Sequence, residues 1–341
     1  MKEISKENTN ISSLVIDWYL VHGRKDLPWR TNISPYRVWI SEIMLQQTQV
    51  KTVIPFYNRF LLKFPTLESL MDASEDEVIA LWSGLGFYRR AKNIYKAKEK
   101  IKFEFNSIFP QDFSELKLLP GIGESTAGAI MSIAYNKSYP ILDANVKRVL
   151  SRCSDVNETS ISKRDKRLWE ISSSITPIKN TFEYTQGIMD LGATVCRPKD
   201  PDCIYCPLNN ECISAFKTPQ LIKKSSKVHK IKPEKDINFT LAYSGESFLL
   251  FKKDEETFWE GLWLPSEQPR IHKIIKAKSL EQQIVKLKHK LTHLDLNLSI
   301  TLLRYNETFK VKTNAEHQWV KKITIDEVGM PAPIKKIILN L

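Results

Sequence analysis

Over roughly the first 216 residues, apolar positions recur at three- and four-residue intervals in stretches divided by Pro, Gly or Ser, the pattern of amphipathic helices. Ser34 followed by Pro35 reads as an N-cap with proline at the first helical position, opening a helix through about Gln46. Further helical stretches fall at 55–63, 75–83, 87–101, 114–118, 124–135, 144–152, 163–175 and 182–193. Beyond about residue 236 the pattern changes. Segments 238–242, 247–252, 296–304 and 318–324 are short and rich in Phe, Val, Ile, Leu and Thr, as strands are, while helices fit about 279–288 and 331–340. The layout is a mainly α domain over residues 1–216 and a smaller α+β domain over 237–341, joined by residues 217–236.

Charge explains the joining segment. The chain has 341 residues and 51 Lys and Arg against 39 Asp and Glu, a net charge of +12. Residues 217–235 hold seven Lys and one Glu, include two Pro and follow neither period, so they read as a Lys-rich linker able to track phosphates. A basic balance favours polyanionic partners, since each neutralised phosphate releases counterions. A solvated basic surface is the plainer reading of charge alone. No apolar run reaches the ~18 residues of a membrane span, and MKEISKENTN has no signal-peptide core. The expected location is cytoplasmic, on the nucleoid if DNA is the partner. In that reducing setting five Cys point to metal binding or free thiols rather than disulfides.

Cys196, Cys203, Cys206 and Cys212 form C-x6-C-x2-C-x5-C at the end of the α domain. Four thiolates this near can wrap one metal centre; a structural zinc ion is the alternative, though it more typically takes two C-x2-C pairs. Cys153 stands apart in sequence and reads as a buried bystander. Upstream, Leu119-Pro120-Gly121-Ile122-Gly123 runs into a helix start at Glu124. Gly121 and Gly123 permit a tight turn, and the new helix's free N–H groups suit an anion. That is the logic of a helix-hairpin-helix gripping a DNA phosphate without reading sequence, although a Gly-x-Gly turn by itself is usually a loop.

Two carboxylates carry candidate chemistry. Glu42, in SEIMLQQT, has Val38, Trp39 and Leu45 three or four positions away on its helix face. Its plain role is a partly exposed helix Glu, but apolar neighbours would raise its pKa, as a general acid near neutral pH requires. Asp143, in LDANVKRVL, directly precedes a helix, where its plain role is an N-cap. A capping Asp stays ionised and can also face a developing positive charge.

In order and context, SEIMLQQT, LPGIGESTAGAI, LDANVKRVLSR and the four-cysteine ending resemble the MutY family of adenine DNA glycosylases, within the endonuclease III-like superfamily. The likeness covers nearly all of residues 15–216 and continues weakly beyond. It implies a six-helix helix-hairpin-helix lobe, an iron–sulfur lobe with a [4Fe–4S] cluster on the four cysteines as a structural staple, and a Nudix-like lesion-recognition domain. It implies that Glu42 protonates a flipped adenine at N7, that Asp143 stabilises or transiently attacks the oxocarbenium-like sugar, and that Asn145 positions water and the carboxylates. Glycoside hydrolysis uses the same two-carboxylate logic. Related pyrimidine-repair enzymes carry a Schiff-base Lys where this chain has Ser125, so the implied enzyme removes a base without cutting the strand.

An enzyme acting inside duplex DNA flips its base out and fills the gap. By the resemblance, Gln47, Thr48, Leu85, Phe87 and Tyr88 wedge around the partner 8-oxoguanine, Phe87 standing where the family usually has Tyr. Core packing is the plain role of such aromatics. Trp29, Arg30, Gln186 and Asp190 align with pocket-lining positions. In the C-terminal domain, EGLWLP at 260–265 and MPAP at 330–333 resemble the Nudix-like module without a pyrophosphatase's acidic helix. Leu291-Thr292-His293 stands where relatives use Phe-Ser-His to detect 8-oxoguanine, which makes Thr292 and His293 candidates. The expected partner is double-stranded DNA carrying A:8-oxoguanine or A:G, bound by a monomer. Two other readings are a bifunctional pyrimidine-lesion glycosylase/AP lyase, opposed by Ser125 and the extra domain, and a non-catalytic iron–sulfur DNA-binding protein, opposed by the pairing of Glu42 with Asp143.

Overall fold

The periodic stretches before residue 217 form helices throughout: α1 Ile4–His22, α2 Pro35–Leu45, α3 Val50–Lys63, α4 Leu67–Met71, α5 Glu75–Trp82, α6 Arg89–Glu104, α7 Phe113–Lys117, α8 Glu124–Ala134, α9 Ala144–Cys153, α10 Ile161–Ile175 and α11 Thr181–Thr194. The computed structural model describes residues 4–154, 156, 158–217, 232–254, 258–276 and 279–341. Most of the Lys-rich segment, 218–231, lies outside the described residues. Local chemistry sets the helix ends. Ser34 accepts from the Arg37 N–H with Pro35 at the first helical position, as expected. A reciprocal capping box of Ser74 and Glu77 starts α5.

The chain divides into two compact units, residues 1–72 with 93–225, and residues 73–92 with 226–341. In the first unit α2 packs on α3 and α8, and α11 packs on α1, α8 and α9. Two glycines allow close approach, Gly128 to the segment before α9 and Gly192 to α9 itself. A methyl on Gly128 of α8 would collide with the Pro140 carbonyl, and one on Gly192 of α11 would lie 2.7 Å from the Asn145 Cβ.

The second unit holds a six-stranded sheet built from β1 Glu234–Ser244, β2 Ser247–Lys252, β3 Trp263–Leu264, β4 Glu281–Lys290, β5 Asp295–Arg304 and β6 His317–Lys321. Its order is β3-β2-β1-β5-β4, with β6 also on β2; β1 and β5 run parallel and the other pairs antiparallel. Helices α12 Pro269–Lys276 and α13 Ala332–Asn340 complete it. Ile271 and Ile275 of α12 bury against Leu249, Phe251 and Leu303 of the sheet.

Two expectations change. The stretch 279–288 is strand, not helix: Glu281–Lys290 pairs along its whole length with β5. Glu, Gln and Lys favour helices, but Val285, Leu287 and His289 alternate with Lys286, Lys288 and Lys290, and the period of two prevails over propensity. The unit division also departs from a cut at residue 216, because residues 73–92 pack with the C-terminal sequence. Ile79 meets Gly329, Ser83 and Tyr88 both donate to the Met330 carbonyl at 2.7 and 3.0 Å, and Lys92 pairs with Glu260 at 2.6 Å.

Because backbone faces Gly128 and cannot yield cheaply, Gly128→Ala is expected to cost about 1–3 kcal/mol or more. Denaturant unfolding followed by far-UV circular dichroism checks this; a wild-type midpoint would mean that α8 and residues 140–141 are not so closely apposed.

Candidate active site

In the first unit α2 buries Val38, Trp39, Ile40, Ile43 and Met44 around Glu42, which is itself half-buried. Burial pushes the Glu42 carboxyl up to about 7; the negative charge of Asp143 adds to the rise and the Arg30 guanidinium opposes it. Asp143 caps α9, its Oδ1 accepting from the Val146 N–H at 2.7 Å and its Oδ2 from Asn145 Nδ2 at 3.3 Å. Burial raises this carboxyl too, but the hydrogen bonds from Val146 and Asn145 and the charge of Arg148 favour its anion. The two groups feel one another's charge in unlike surroundings. Burial dominates at Glu42, whereas at Asp143 hydrogen bonds and the Arg148 charge act against it.

Asp190 of α11 is fully buried and gathers two guanidinium groups. Arg30 reaches its two oxygens at 2.7 and 2.8 Å, and Arg24 binds it at 2.5 and 2.9 Å. Burial works to raise the Asp190 carboxyl, and the hydrogen bonds and charges of Arg30 and then Arg24 outweigh it, holding it below its ordinary value. Among the described residues the Arg30 Nε is buried without a hydrogen-bond partner, a donor left over beside the carboxyl pair. Trp29 is buried edge-on to Tyr57, with ring centroids 5.4 Å apart, and Gln186 is buried in α11. Arg24 was not anticipated; no pattern in the sequence set it apart from other cations.

The hairpin between α7 and α8 turns at Gly121, φ +85°, a conformation that favours glycine. Gly123 is the N-cap of α8 and supplies no side-chain cap, so the first N–H groups of that helix are open to another acceptor. Ser125 Oγ accepts from the Leu142 N–H at 3.0 Å, tying α8 to the residue before Asp143. At the end of α2, Gln47 is exposed in the left-handed region, φ +58°, and Thr48 is half-buried.

Helix α9 runs from this site to the cysteines. Arg148 binds the Asn145 Oδ1 at 2.8 Å, the Gly192 carbonyl at 2.6 Å and the Cys196 carbonyl at 2.8 Å. Arg152 reaches Cys196 Sγ at 3.3 Å and the carbonyls of Arg197 and Pro198 at 2.7 and 3.1 Å. The i, i+3 and i+7 spacing of Asn145, Arg148 and Arg152 was the overlooked signal for both arginines. Burial pushes the Cys206 thiol up to about 11, and the charges of Cys196, Cys212 and Cys203 add to it, so the four sulfurs are electrostatic neighbours. Cys153 is buried as expected, and its backbone carbonyl accepts from the Ile213 N–H at 3.2 Å, next to Cys212. The donor set is all thiol, faced by two guanidinium groups, and fits an anionic iron–sulfur group. Among the described residues, no three His, Cys, Asp or Glu side chains are placed to hold a single metal ion.

The remaining candidates lie in the second unit. Leu85 is buried and the Tyr88 hydroxyl is bound to Met330, whereas the Phe87 ring is 42% exposed with φ +50°. Thr292 and His293 are exposed at the tip of the β4–β5 hairpin, closed by a 2.8 Å bond from the Leu291 N–H to the Leu294 carbonyl.

Residues 40–174 match the family model described as HhH-GPD superfamily base excision DNA repair protein, and residues 239–340 match the NUDIX domain model. The chain is 42% identical over 339 residues to the adenine DNA glycosylase of Buchnera aphidicola from Acyrthosiphon pisum, covering 96% of this chain and 97% of that protein. It is 38% identical over 219 residues to the human adenine DNA glycosylase, covering 60% of this chain and 39% of that protein. Among solved structures, a thermostable thymine-DNA glycosylase superposes with a TM-score of 0.56 at 26% identity, over 61% of this chain and 96% of its own. Endonuclease III bound to DNA shares the fold at 21% identity, with a TM-score of 0.51 over 60% and 93% of the two chains. No helix among the described residues is long and apolar enough to cross a membrane.

The Glu42 carboxyl holds its proton to higher pH in the folded protein than in the unfolded chain. Folding therefore loses stability as pH rises from the ordinary value of 4.5 through about 7. Glu42→Gln is expected to be more stable than wild type at pH 8, by up to about 3 kcal/mol, with the difference shrinking toward pH 5. Denaturant titrations at both pH values check this; a pH-independent difference would place Glu42 in a more solvated setting.

Proposed function

The chain belongs to the adenine DNA glycosylase family, a base-excision repair enzyme family, and we propose that it acts as a monofunctional glycosylase on adenine mispaired with 8-oxoguanine or guanine in duplex DNA. The observation that carries this reading is two neighbouring carboxyls in unlike settings, Glu42 pushed up to about 7 by burial and Asp143 raised by burial while its α9 cap hydrogen bonds favour the anion. Glu42 donates its proton to N7 of the flipped adenine, which makes the base a leaving group, and the C1′–N9 bond breaks. Asp143 faces the positive charge that develops on the sugar, and water adds to C1′, giving up its proton to the Glu42 carboxylate, to leave an abasic site. Asn145, held by Arg148, keeps Asp143 oriented.

Trp29, Arg30, Gln186 and Asp190 form the base pocket in this reading, with Asp190 fixing the Arg30 guanidinium beside Glu42. Gly121, Gly123 and the open start of α8 take a DNA phosphate, and Gln47 and Thr48 approach the opened stack. Ser125 offers no amine for a Schiff base, and its hydroxyl is engaged with Leu142, so strand cleavage is not expected. In the second unit Phe87 enters the duplex, with Leu85 and Tyr88 supporting it from within, and Thr292 and His293 meet the base opposite adenine. Cys196, Cys203, Cys206 and Cys212 would hold a [4Fe–4S] cluster, which would crosslink the segment following α11 in the first unit and supply no redox step in base excision.

The test is single-turnover excision on labelled duplexes carrying A opposite 8-oxoguanine, A opposite G, and thymine glycol opposite A, each with and without hot alkali. Cleavage of the adenine strand after alkali treatment only, abolished in Glu42→Gln with DNA affinity retained, is the expected result. Nicking at thymine glycol without alkali would overturn it. For the cysteines, anaerobically purified protein is expected to carry about four irons and four acid-labile sulfides per chain, lost in Cys206→Ser; a single zinc per chain would overturn the cluster.

A further inference from the structure

Phe87 has an unusual backbone for an aromatic residue. A bulky side chain at φ +50° is sterically disfavoured and persists where its surroundings over-determine it, a condition that concentrates at functional positions. The flanking turn contains two glycines with positive φ, Gly84 at +100° and Gly86 at +78°. Glycine meets that demand freely. Phe87 does not, so something must hold it.

The holding group is visible. Arg90 is 7% exposed, and its guanidinium carbon lies 5.2 Å from the centroid of the Trp82 ring and 5.4 Å from that of Phe87. Its Nη2 donates to the Gly86 carbonyl at 3.2 Å, the same carbonyl that takes the Trp82 indole N–H at 3.0 Å. Backbone bonds close the turn on either side, from Leu85 N–H to the Trp82 carbonyl and from Arg90 N–H to the Phe87 carbonyl, both at 2.9 Å. The Tyr88 phenol accepts from the Gly84 N–H at 3.3 Å while donating to Met330, anchoring the far edge. Burial lowers the Arg90 pKa to about 10, a measure of how far this cation has left water. A desolvated guanidinium gains most from aromatic faces.

We propose that Arg90 is a positioning residue that holds Phe87 in its left-handed conformation, keeping the exposed ring set for insertion into a DNA duplex. The inference rests on the reading of Phe87 as the residue that enters the stack. Arg90 bridges the buried Trp82 and the exposed Phe87, so the loop is preorganised before DNA arrives, and insertion needs less ordering on binding. It also bears on Phe standing where the family usually has Tyr. The contact to Arg90 uses the ring face, which both residues share, and a hydroxyl takes no part.

The test uses the full-length protein in the Glu42→Gln background, so that adenine is not removed. The probe is a duplex with 2-aminopurine beside adenine opposite guanine, and the readout is the fluorescence rise at saturating protein. Arg90→Met is expected to reduce the rise about three- to fivefold, and Arg90→Lys, which retains a cation over the rings, to restore most of it. Phe87→Ala is expected to lose it, and adding Arg90→Met to Phe87→Ala is expected to change nothing more. Should Arg90→Met misfold, as circular dichroism would reveal, the Arg90→Lys and Phe87→Ala comparison still carries the test, through a partial loss in the former that vanishes in the double variant. A full signal in Arg90→Met beside a lost one in Phe87→Ala overturns the role of Arg90. A full signal in Phe87→Ala overturns instead the reading of Phe87 on which the inference stands.

Discussion

A carboxyl that keeps its proton near neutral pH must be taken out of water, and the cost of that removal organises the first unit. Glu42 sits on a helix whose neighbouring side chains are almost all apolar and buried, so α2 needs partners around most of its circumference. α3 and α8 supply them. The second carboxyl has the opposite need, because Asp143 has to remain an anion in a partly dry place. It is therefore set at a helix start, where the Val146 N–H, the Asn145 amide and the positive end of α9 all favour charge. Ser125 and Gly128 then have one shared consequence: they fix residues 140–142 on α8, and with them the point where Asp143 emerges.

That arrangement also gives the cysteine lobe a role that needs no electron transfer. α9 begins at Asp143 and ends at Cys153, so whatever holds its far end limits how its near end can move. Arg148 and Arg152 spread four hydrogen bonds onto Cys196 and its following loop, and a bond from the Ile213 N–H to the Cys153 carbonyl fastens the end of the helix to the segment after Cys212. Positive side chains near a helix C-terminus match its dipole, and the same side chains would offset the negative charge of four thiolates in the proposed cluster. A centre that locks those sulfurs together would stiffen the whole helix from its capped start to its end.

Much of this could be read from the sequence because periodicity and punctuation are local. Ser34-Pro35 fixed one helix start, the Gly121 turn lay where Leu119-Pro120-Gly121 indicated, and the apolar face of Glu42 was legible in Val38 and Trp39. What escaped was long-range or ambiguous. The pairing of Arg24 with Asp190 spans 166 positions, and the bond from the Ile213 N–H to the Cys153 carbonyl joins residues that look unrelated in the chain. Residues 281–290 misled for another reason. Their composition favours helix, and the alternation that makes them strand has meaning only beside β5. Segment 73–92 reads as one more helical stretch of the α domain, yet its polar groups find their acceptor at Met330, almost at the other end of the chain.

Each unit buries a guanidinium, and the two solutions differ in what they make possible. Arg30 is neutralised by Asp190, a pairing that fixes the guanidinium fork against the carboxylate and leaves the Nε buried without a hydrogen-bond partner among the described residues. A carboxylate serves well there, because the site has to hold a definite charge pattern while a proton moves. Arg90 lies instead between two rings and donates to a backbone carbonyl. Aromatic faces hold a cation over a broad range of positions with little penalty for sliding, whereas a bidentate carboxylate fixes one geometry. If Phe87 enters a base stack as proposed, the first kind of hold serves it better.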